Sequence, residues 1–546
     1  MIFVRLFTRK ESCLKKLPPS IYAFLMSLLL LVACSSAMET ALVVAQTDVI
    51  ATRPVSSPVP TTIRDIQTVP TSFATNTPQA IDQSRYDCSL DLTHASRQYT
   101  VIATVDYAAK SADVAQRVVY RNDTGDDLMS LAFAIEANHY HAFNLGKVIY
   151  EGTELATNLS SNQLTVSLLE ALPSGCTVML DMQFSVQLMP IAVENAYKGY
   201  LGYSERQMNL GHWLPTIAPR RSGEWLIHQP QQVGEQSVLE QADWDVIVHV
   251  DNASDSVNVA APGRVARIDD NGWRFQLQGG RDFAMSIGED YRIDTVTTAS
   301  GVTIDLFSFP DAVVQTDSGL LDGAKHALEQ AHLAFDQYEA LYGPYPYERA
   351  VIVQGDFADG MEFSGLVYVG TRWFYGFTGG IRNYLTLITV HELSHQWWYA
   401  KVGNDSALDP WLDESLATYS EYIFLEEYYP DDKAWWWTFR VDTYLPSGYV
   451  DQDVYCFSDV RSYINAIYLR GVHMLHDVRE TIGTEQFFAW IAQYAVSGSG
   501  RIATPTLIWS LLQATDYAST DEVRSEYFSQ PDILPQNADG DSFTSP

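Results

Sequence analysis

Positive charge is scarce in this chain of 546 residues: 34 Lys and Arg stand against 67 Asp and Glu, a formal net charge of −33. Holding nucleic-acid phosphates takes clustered cations, so this balance argues against nucleic acid as a partner. Cysteine is scarcer still, with five in the chain. Cys13 and Cys34 fall near the N-terminus, which leaves Cys88, Cys176 and Cys456. Three thiols do not make a disulfide framework, and none of them has metal-ligand spacing. A Cys88–Cys176 bridge stays open for an oxidising compartment. Long apolar runs are also missing: Ile21–Val32 is too short to cross a bilayer comfortably. No internal repeat is apparent. What is present is length, enough for more than one domain and a large core. The surplus of acid suits solubility and the attraction of cationic groups such as peptide amines.

The chain opens like a targeting segment. Arg5, Arg9, Lys10, Lys15 and Lys16 form a basic stretch ahead of the short apolar run. The run ends in Leu31-Val32-Ala33-Cys34-Ser35, which resembles a bacterial lipobox. The resemblance implies a lipoprotein-type signal segment over 1–34, membrane attachment through a lipidated Cys34, and an exported protein of the cell surface or periplasm. An ordinary signal peptide or a short anchor is the alternative. Residues 35–85 are rich in Ser, Thr, Pro and Ala and carry no hydrophobic period. They read as a disordered tether.

From 86 to 295 the signals are strands. TVIATVDYAA, AQRVVYRN, QLTVSLLEAL, CTVMLDMQFSVQL, DWDVIVHVD and WRFQLQGG alternate or cluster β-formers between turn residues. After GVTIDLFSF the period changes. Leu320–Leu341 predicts a long helix ended by Gly343 and Pro344, followed by short strands in RAVIVQ and GLVYVG and then by helical segments. The expected fold is multidomain α+β: an all-β domain over 86–295, a mixed α/β catalytic domain over 296–528, and a flexible tail over 529–546.

The chemistry concentrates in His391-Glu392-Leu393-Ser394-His395 and, eighteen residues later, Glu414 in WLDES. Histidines four apart on a helix face the same way. Two imidazoles and one carboxylate are what an open catalytic zinc site takes, and Glu392 lies where it can act as base on water. A solvated helix face is the bland alternative, but TLITV before and QWWYA after put the segment in a core, with Tyr384, Ile388, His391, His395 and Trp398 on one stripe. Asp409, Pro410 and Pro430 read as start and stop signals of the second helix. Asp413, Thr418 and Glu421 are candidates to support the ligands.

HELSHQWW, the spaced WLDES and the upstream DGMEFSG together resemble the M1 family of zinc aminopeptidases, the gluzincin group. ALYGPYPYERAVIV, RDFAMSIGEDY and IYLRGVHML match further landmarks of that family in order, so the likeness runs over roughly 86–520. It implies an all-β domain followed by a thermolysin-like α/β metallopeptidase domain, with one Zn2+ held by His391, His395 and Glu414. It implies Glu392 as general base and Tyr468 as the donor that stabilises an oxyanion. Glu362, with Gly360 and Met361 beside it, would hold the free amino group of a peptide substrate. Without the family, Tyr468 reads as a core residue and Glu362 as an ordinary strand-edge Glu.

The chain also departs from the pattern. Phe363 stands where the family has Asn, which removes a polar side chain beside the amine site, and Arg470 stands where Lys is usual. A family Gln from the β domain has Gln207 as its best counterpart. The large C-terminal helical domain of many members is not matched, which implies a more open cleft. The resemblance therefore implies an aminopeptidase acting on peptides with free N-termini. A zinc endopeptidase of the same fold and a non-catalytic surface-binding member are the alternatives.

Overall fold

The computed structural model describes residues 86–534, apart from 91, 93–94, 192–197 and 317–318. The expected signal segment with Cys34, the tether and residues 535–546 lie outside the described residues. No helix among those described is long and apolar enough to cross a membrane.

Strict alternation organises the N-terminal region. In Arg97–Asp106, Ser111–Arg121 and Ala242–Asp251 nearly every second side chain is buried, as in a sheet with one face on a core. These strands lie in an eight-stranded sheet. Arg97–Asp106 is at its centre, parallel to Ala242–Asp251 and antiparallel to Ser111–Arg121. Two four-stranded sheets and a two-stranded ribbon, Arg220–Arg221 with Glu224–Trp225, complete the region. All six strand signals read from the sequence fall on strands. A Cys88–Cys176 disulfide ties the incoming chain beside Thr177–Gln187.

The second region is built on a five-stranded sheet. Its strands are β1 (Arg292–Thr297), β2 (Thr303–Ser308), β3 (Arg349–Gly355), β4 (Gly360–Phe363) and β5 (Leu366–Gly370). Their spatial order is β1-β2-β3-β5-β4. β3 is parallel to β2 and β5, whereas β4 is an antiparallel edge strand. The boundary expected at 295/296 therefore falls inside β1, which hydrogen-bonds to β2 and belongs to the second sheet.

Four helices carry or brace the residues of interest: α1 (Gly323–Tyr342), α2 (Tyr384–Ser394), α3 (Trp411–Tyr428) and α4 (Arg470–Ile482). The helix predicted from Leu320 starts three residues later, because Gly319–Asp322 pairs as a strand and Asp322 caps α1 by accepting from the Lys325 amide. α2 packs between α1 and α3, and all ten residues from Leu385 to Ser394 are buried. Such a helix is buried all round rather than along one stripe. The tail expected from 529 begins as packed chain: Ser529 donates to Asp451 from both its amide and its hydroxyl, and Leu534 is buried.

The two regions are joined through one buried cation. The guanidinium of Arg281, 2% exposed, donates to the carbonyl oxygens of Leu239, Tyr399, Ala400, Lys401 and Arg501. Its neighbour Asp282 accepts from the Ser364 amide, just past β4, and from the Tyr399 hydroxyl. Replacing Arg281 by Leu takes the donor from the Leu239 and Tyr399 carbonyls, each costing about 1–3 kcal/mol when left unpaired, whereas the Ala400, Lys401 and Arg501 carbonyls keep Gln241 and the Gly500 and Gly403 amides. The expected outcome for Arg281→Leu is a loss of about 2–6 kcal/mol in unfolding free energy, read from the urea midpoint at unchanged slope.

Candidate active site

α2 begins at Asn383, whose side chain accepts from the Thr386 amide, and stops at Ser394 with His395 as its C-cap. The stripe expected to run on to Trp398 breaks there, because the chain leaves the helix. The break has a use. His395 Nδ1 donates to the Trp398 carbonyl at 2.9 Å, a bond that a continuing helix would not offer. His391 Nδ1 donates to Glu421 at 2.9 Å. With both Nδ1 atoms engaged as donors, both Nε2 atoms present lone pairs.

These lone pairs converge. The two Nε2 atoms are 3.3 Å apart, and Glu414 Oε2 lies 3.4 Å from one and 3.5 Å from the other. All three residues are buried, and Glu414 Oε2 has no hydrogen-bond partner among the described residues. Three electron-rich atoms in a sealed triangle repel one another unless a cation lies among them. The spacing fits one: ligand atoms about 2.0–2.1 Å from a tetrahedral metal sit about 3.3–3.4 Å apart. Burial favours neutral imidazole, but the carboxylates of Glu414 and Glu421 outweigh it and raise His391 to about 9. Protons and a dication therefore compete for the same triangle.

Of the three residues expected to support the ligands, Glu421 does so. Besides His391 it holds the buried Arg440, through Nε at 2.9 Å and Nη2 at 3.0 Å, and Trp436 Nε1 at 3.1 Å. Burial would raise its pKa, but Arg440 and His391 hold it below the usual carboxylate range. Thr418 instead bonds the Glu414 carbonyl one turn back, and Asp413 accepts from Asn404 and Ser406. α3 starts at Trp411 after Pro410, with no side-chain cap, so Asp409 does not take the capping place predicted for it.

Glu392 faces β4. A Cβ on Gly360 would lie 2.0 Å from Glu392 Oε1, so only glycine permits this approach. Burial first, and Glu362 next among the repulsive neighbours, hold Glu392 well above the usual carboxylate range. Glu362 is two residues along β4 from Gly360, on the same face of the strand; its Oε1 lies 3.9 Å from His395 Nδ1. Met361 also lines the cavity. Phe363 does not. It is fully buried beneath Tyr200 and His212, with ring centroids 5.9 and 5.0 Å away. The change expected at the amine site from Phe363 is therefore absent. Gln396, next to His395, donates to the Phe363 carbonyl at 3.0 Å and accepts from the Gly365 amide at 2.9 Å.

Gln207 is not at the site. It is fully buried and straps the two regions together through Tyr291, the Gln354 carbonyl and the Asp356 amide. The β region contributes Glu235 instead, from a loop that sequence reasoning passes over. Burial and the adjacent Glu362 hold Glu235 well above its ordinary range, and its Oε2 is sealed without a partner among the described residues. No spacing or motif marks a single Glu in VGEQ; only the folded loop brings it in.

Tyr468 lies in a π-helical stretch, Ile464–Leu469, just ahead of α4. Such insertions often mark functional sites. Its ring stacks on His391 with centroids 5.9 Å apart and planes 7° apart. Burial, then Glu414, push the phenol well above 10, so it stays protonated as a donor. Glu362, Glu392, the triangle, Tyr468 and Glu235 all line one cavity of about 320 Å³.

Residues 326–527 match the Peptidase family M1 domain. Endoplasmic reticulum aminopeptidase 2 of Homo sapiens is 28% identical over 230 residues, covering 39% of this chain and 23% of that protein. Aminopeptidase M1 of Arabidopsis thaliana is 25% identical over 227 residues, covering 39% and 26%. The chain thus aligns with about a quarter of the length of these curated relatives. In three dimensions it is similar to the M1 zinc metallopeptidase of Deinococcus radiodurans, with a TM-score of 0.56 at 18% identity over 83% of this chain and 99% of that one. The match to the Peptidase family M1 domain thus falls on the region that holds this site, and the chain as a whole shares its fold with that M1 zinc metallopeptidase.

Proposed function

We propose that this protein is a zinc-dependent aminopeptidase that removes N-terminal residues from peptides, with one Zn2+ held by His391, His395 and Glu414. The observation that carries the reading is the position of Glu362. It sits on an edge strand two residues from the point where Glu392 touches that strand, with Glu235 opposite. Two buried carboxylates that repel each other are relieved by one cation, and the free α-ammonium of a peptide is that cation.

A bound zinc supplies Lewis acidity, which acidifies water and polarises a carbonyl. The residues of the chain do the rest. The open edge of β4 aligns the substrate backbone as an added strand. Glu362 and Glu235 fix its N-terminus, which sets the scissile carbonyl one residue away, beside Glu392. Glu392 accepts the proton of the attacking water and can return it to the departing amine. The Tyr468 hydroxyl donates to the oxygen on which negative charge develops. A donor of this kind is worth about 10²–10³ in rate.

Aminoacyl fluorogenic amides, free and N-acetylated, test the reading directly. The free substrates should be cleaved and the acetylated ones should not; equal cleavage of both would leave an endopeptidase. Glu362→Ala should raise KM most for free-amine substrates. Tyr468→Phe should retain stoichiometric zinc and lose about 10²–10³ in kcat. Near-wild-type turnover in that variant would remove Tyr468 from the mechanism. Glu421→Ala releases the His391 ring from its orienting bond, so metal affinity measured against a competing chelator should fall about 10–100-fold.

A further inference from the structure

The cleft has two sides, and β4 gives its direction. Gly360 marks the reacting bond through its approach to Glu392, and Glu362 marks the amino end. Asp359, on the other side of Gly360, marks the end where the leaving group departs. A continuous wall starts there. Trp373 Nε1 donates to Asp359 at 3.3 Å, Trp373 packs on Tyr384 with ring centroids 4.8 Å apart, and the Tyr384 and Tyr444 hydroxyls are 3.0 Å apart. The wall ends in a guanidinium: Arg461 lies over the Tyr444 ring, 4.3 Å from its centroid.

Cations are concentrated on this wall. The whole chain has 34 Lys and Arg against 67 acids, yet four cations line this one cavity: Arg372, Arg440 and Arg461 here, and Lys198 beside Glu235 at the other end. The three arginines are committed differently. Arg440 is buried and neutralised by Glu421. Arg372 stacks on Trp373 and pairs with Asp359 at 3.3 Å, with both partners open to solvent. Arg461 is exposed and makes no ion pair with a carboxylate among the described residues. Its neighbour Asp459 is occupied in capping the helix Val460–Tyr463 through the Ser462 amide. A guanidinium held flat on an aromatic ring keeps its N–H edge free and oriented for a carboxylate.

We infer that the leaving-group side of the cleft is a carboxylate-binding subsite, with Arg461 as its principal cation and Arg372 beside it. The inference rests on the aminopeptidase reading and deepens it. The substrates it selects are peptides that present a carboxylate just past the scissile bond, either the C-terminus of a short peptide or an acidic side chain. Acid would then hold the amino end of the substrate and arginine the carboxyl end, so that a short zwitterionic peptide is matched at both ends.

The test uses zinc-loaded full-length protein and matched peptides of two to five residues, each as free acid and as C-terminal amide. One further amidated series carries Glu at the second or third position. The free acid should exceed its amide by about five- to tenfold in kcat/KM at the favoured length, through KM, and the margin should shrink in about 0.5 M salt as screening shortens. A gain in the Glu-containing amides instead assigns the subsite to acidic side chains. R461Q should bring the acid-to-amide ratio close to one. Equal cleavage of acids and amides at every length, or a preference that survives R461Q, R372Q and the double variant, overturns the subsite while leaving the aminopeptidase intact. Failure to cleave any substrate, simple aminoacyl amides included, overturns both.

Discussion

The structure is organised around a mutual repulsion. Two imidazole lone pairs and one carboxylate oxygen are held 3.3–3.5 Å apart out of water, an arrangement that only a central cation makes favourable. Helices buried on every face are its consequence, since a ligand that can swing away would escape the strain. The same logic reaches outward. Glu421 takes the proton-bearing side of His391, and a carboxylate buried there needs its own countercharge, which Arg440 supplies through two nitrogens with Trp436 as a third donor. Glu362, Glu235 and Glu392 add further negative potential to the same cavity. Lys198 already stands beside Glu235 at this acidic end of the cavity, and on the proposed reading a dication and a substrate ammonium supply the remaining positive charge.

A second constraint is distance. Reading one residue from a free amino end requires that Glu362 and His395 keep a fixed separation although they belong to a sheet and a helix. Two buried straps hold them. The Gln396 amide grips the backbone on either side of Ser364, and Asp282 takes the Ser364 amide while accepting from Tyr399, four residues beyond His395. Arg281 clamps the backbone of the same turn at Tyr399 and Ala400. The β region is thus part of the active site's frame, since Arg281 and Asp282 lead into its last strand, Met285–Gly288.

How much of this is legible in the sequence depends on whether the signal is local. His391, His395 and Glu414 can be read because helix periodicity projects a spacing directly into a direction, and the long alternating strands can be read for the same reason. Residues whose place depends on tertiary contact cannot. Glu235 enters through a loop without periodicity, and Gln396 is ordinary until β4 lies beside it. Gln207 looks like a ligand group by position, yet the folded chain uses its amide to join the two regions. Phe363 looks like an altered specificity residue, yet strand alternation turns it into the core. Helix ends slip where tertiary structure overrides local signals: Gly319–Asp322 pairs as a strand before α1, and the turn after Ser394 serves His395.

On the aminopeptidase reading proposed above, burial also bears on why chain ends would be favoured over interior bonds. A peptide cleaved in its middle would have to continue past Glu362 along β4. There Tyr200 lines the same cavity as Glu362, and it is fixed in turn by its hydrogen bond to Glu136. An interior peptide bond lying against Glu362 and Glu235 would also bring no charge to two carboxylates whose ionised forms burial already disfavours. Either they stay ionised without a counterion or they take up protons, and both outcomes work against binding. A free ammonium removes that difficulty and needs no space beyond Glu362. On that reading shape and charge select the same substrate end, and the selection belongs to the β region and the edge strand rather than to the metal.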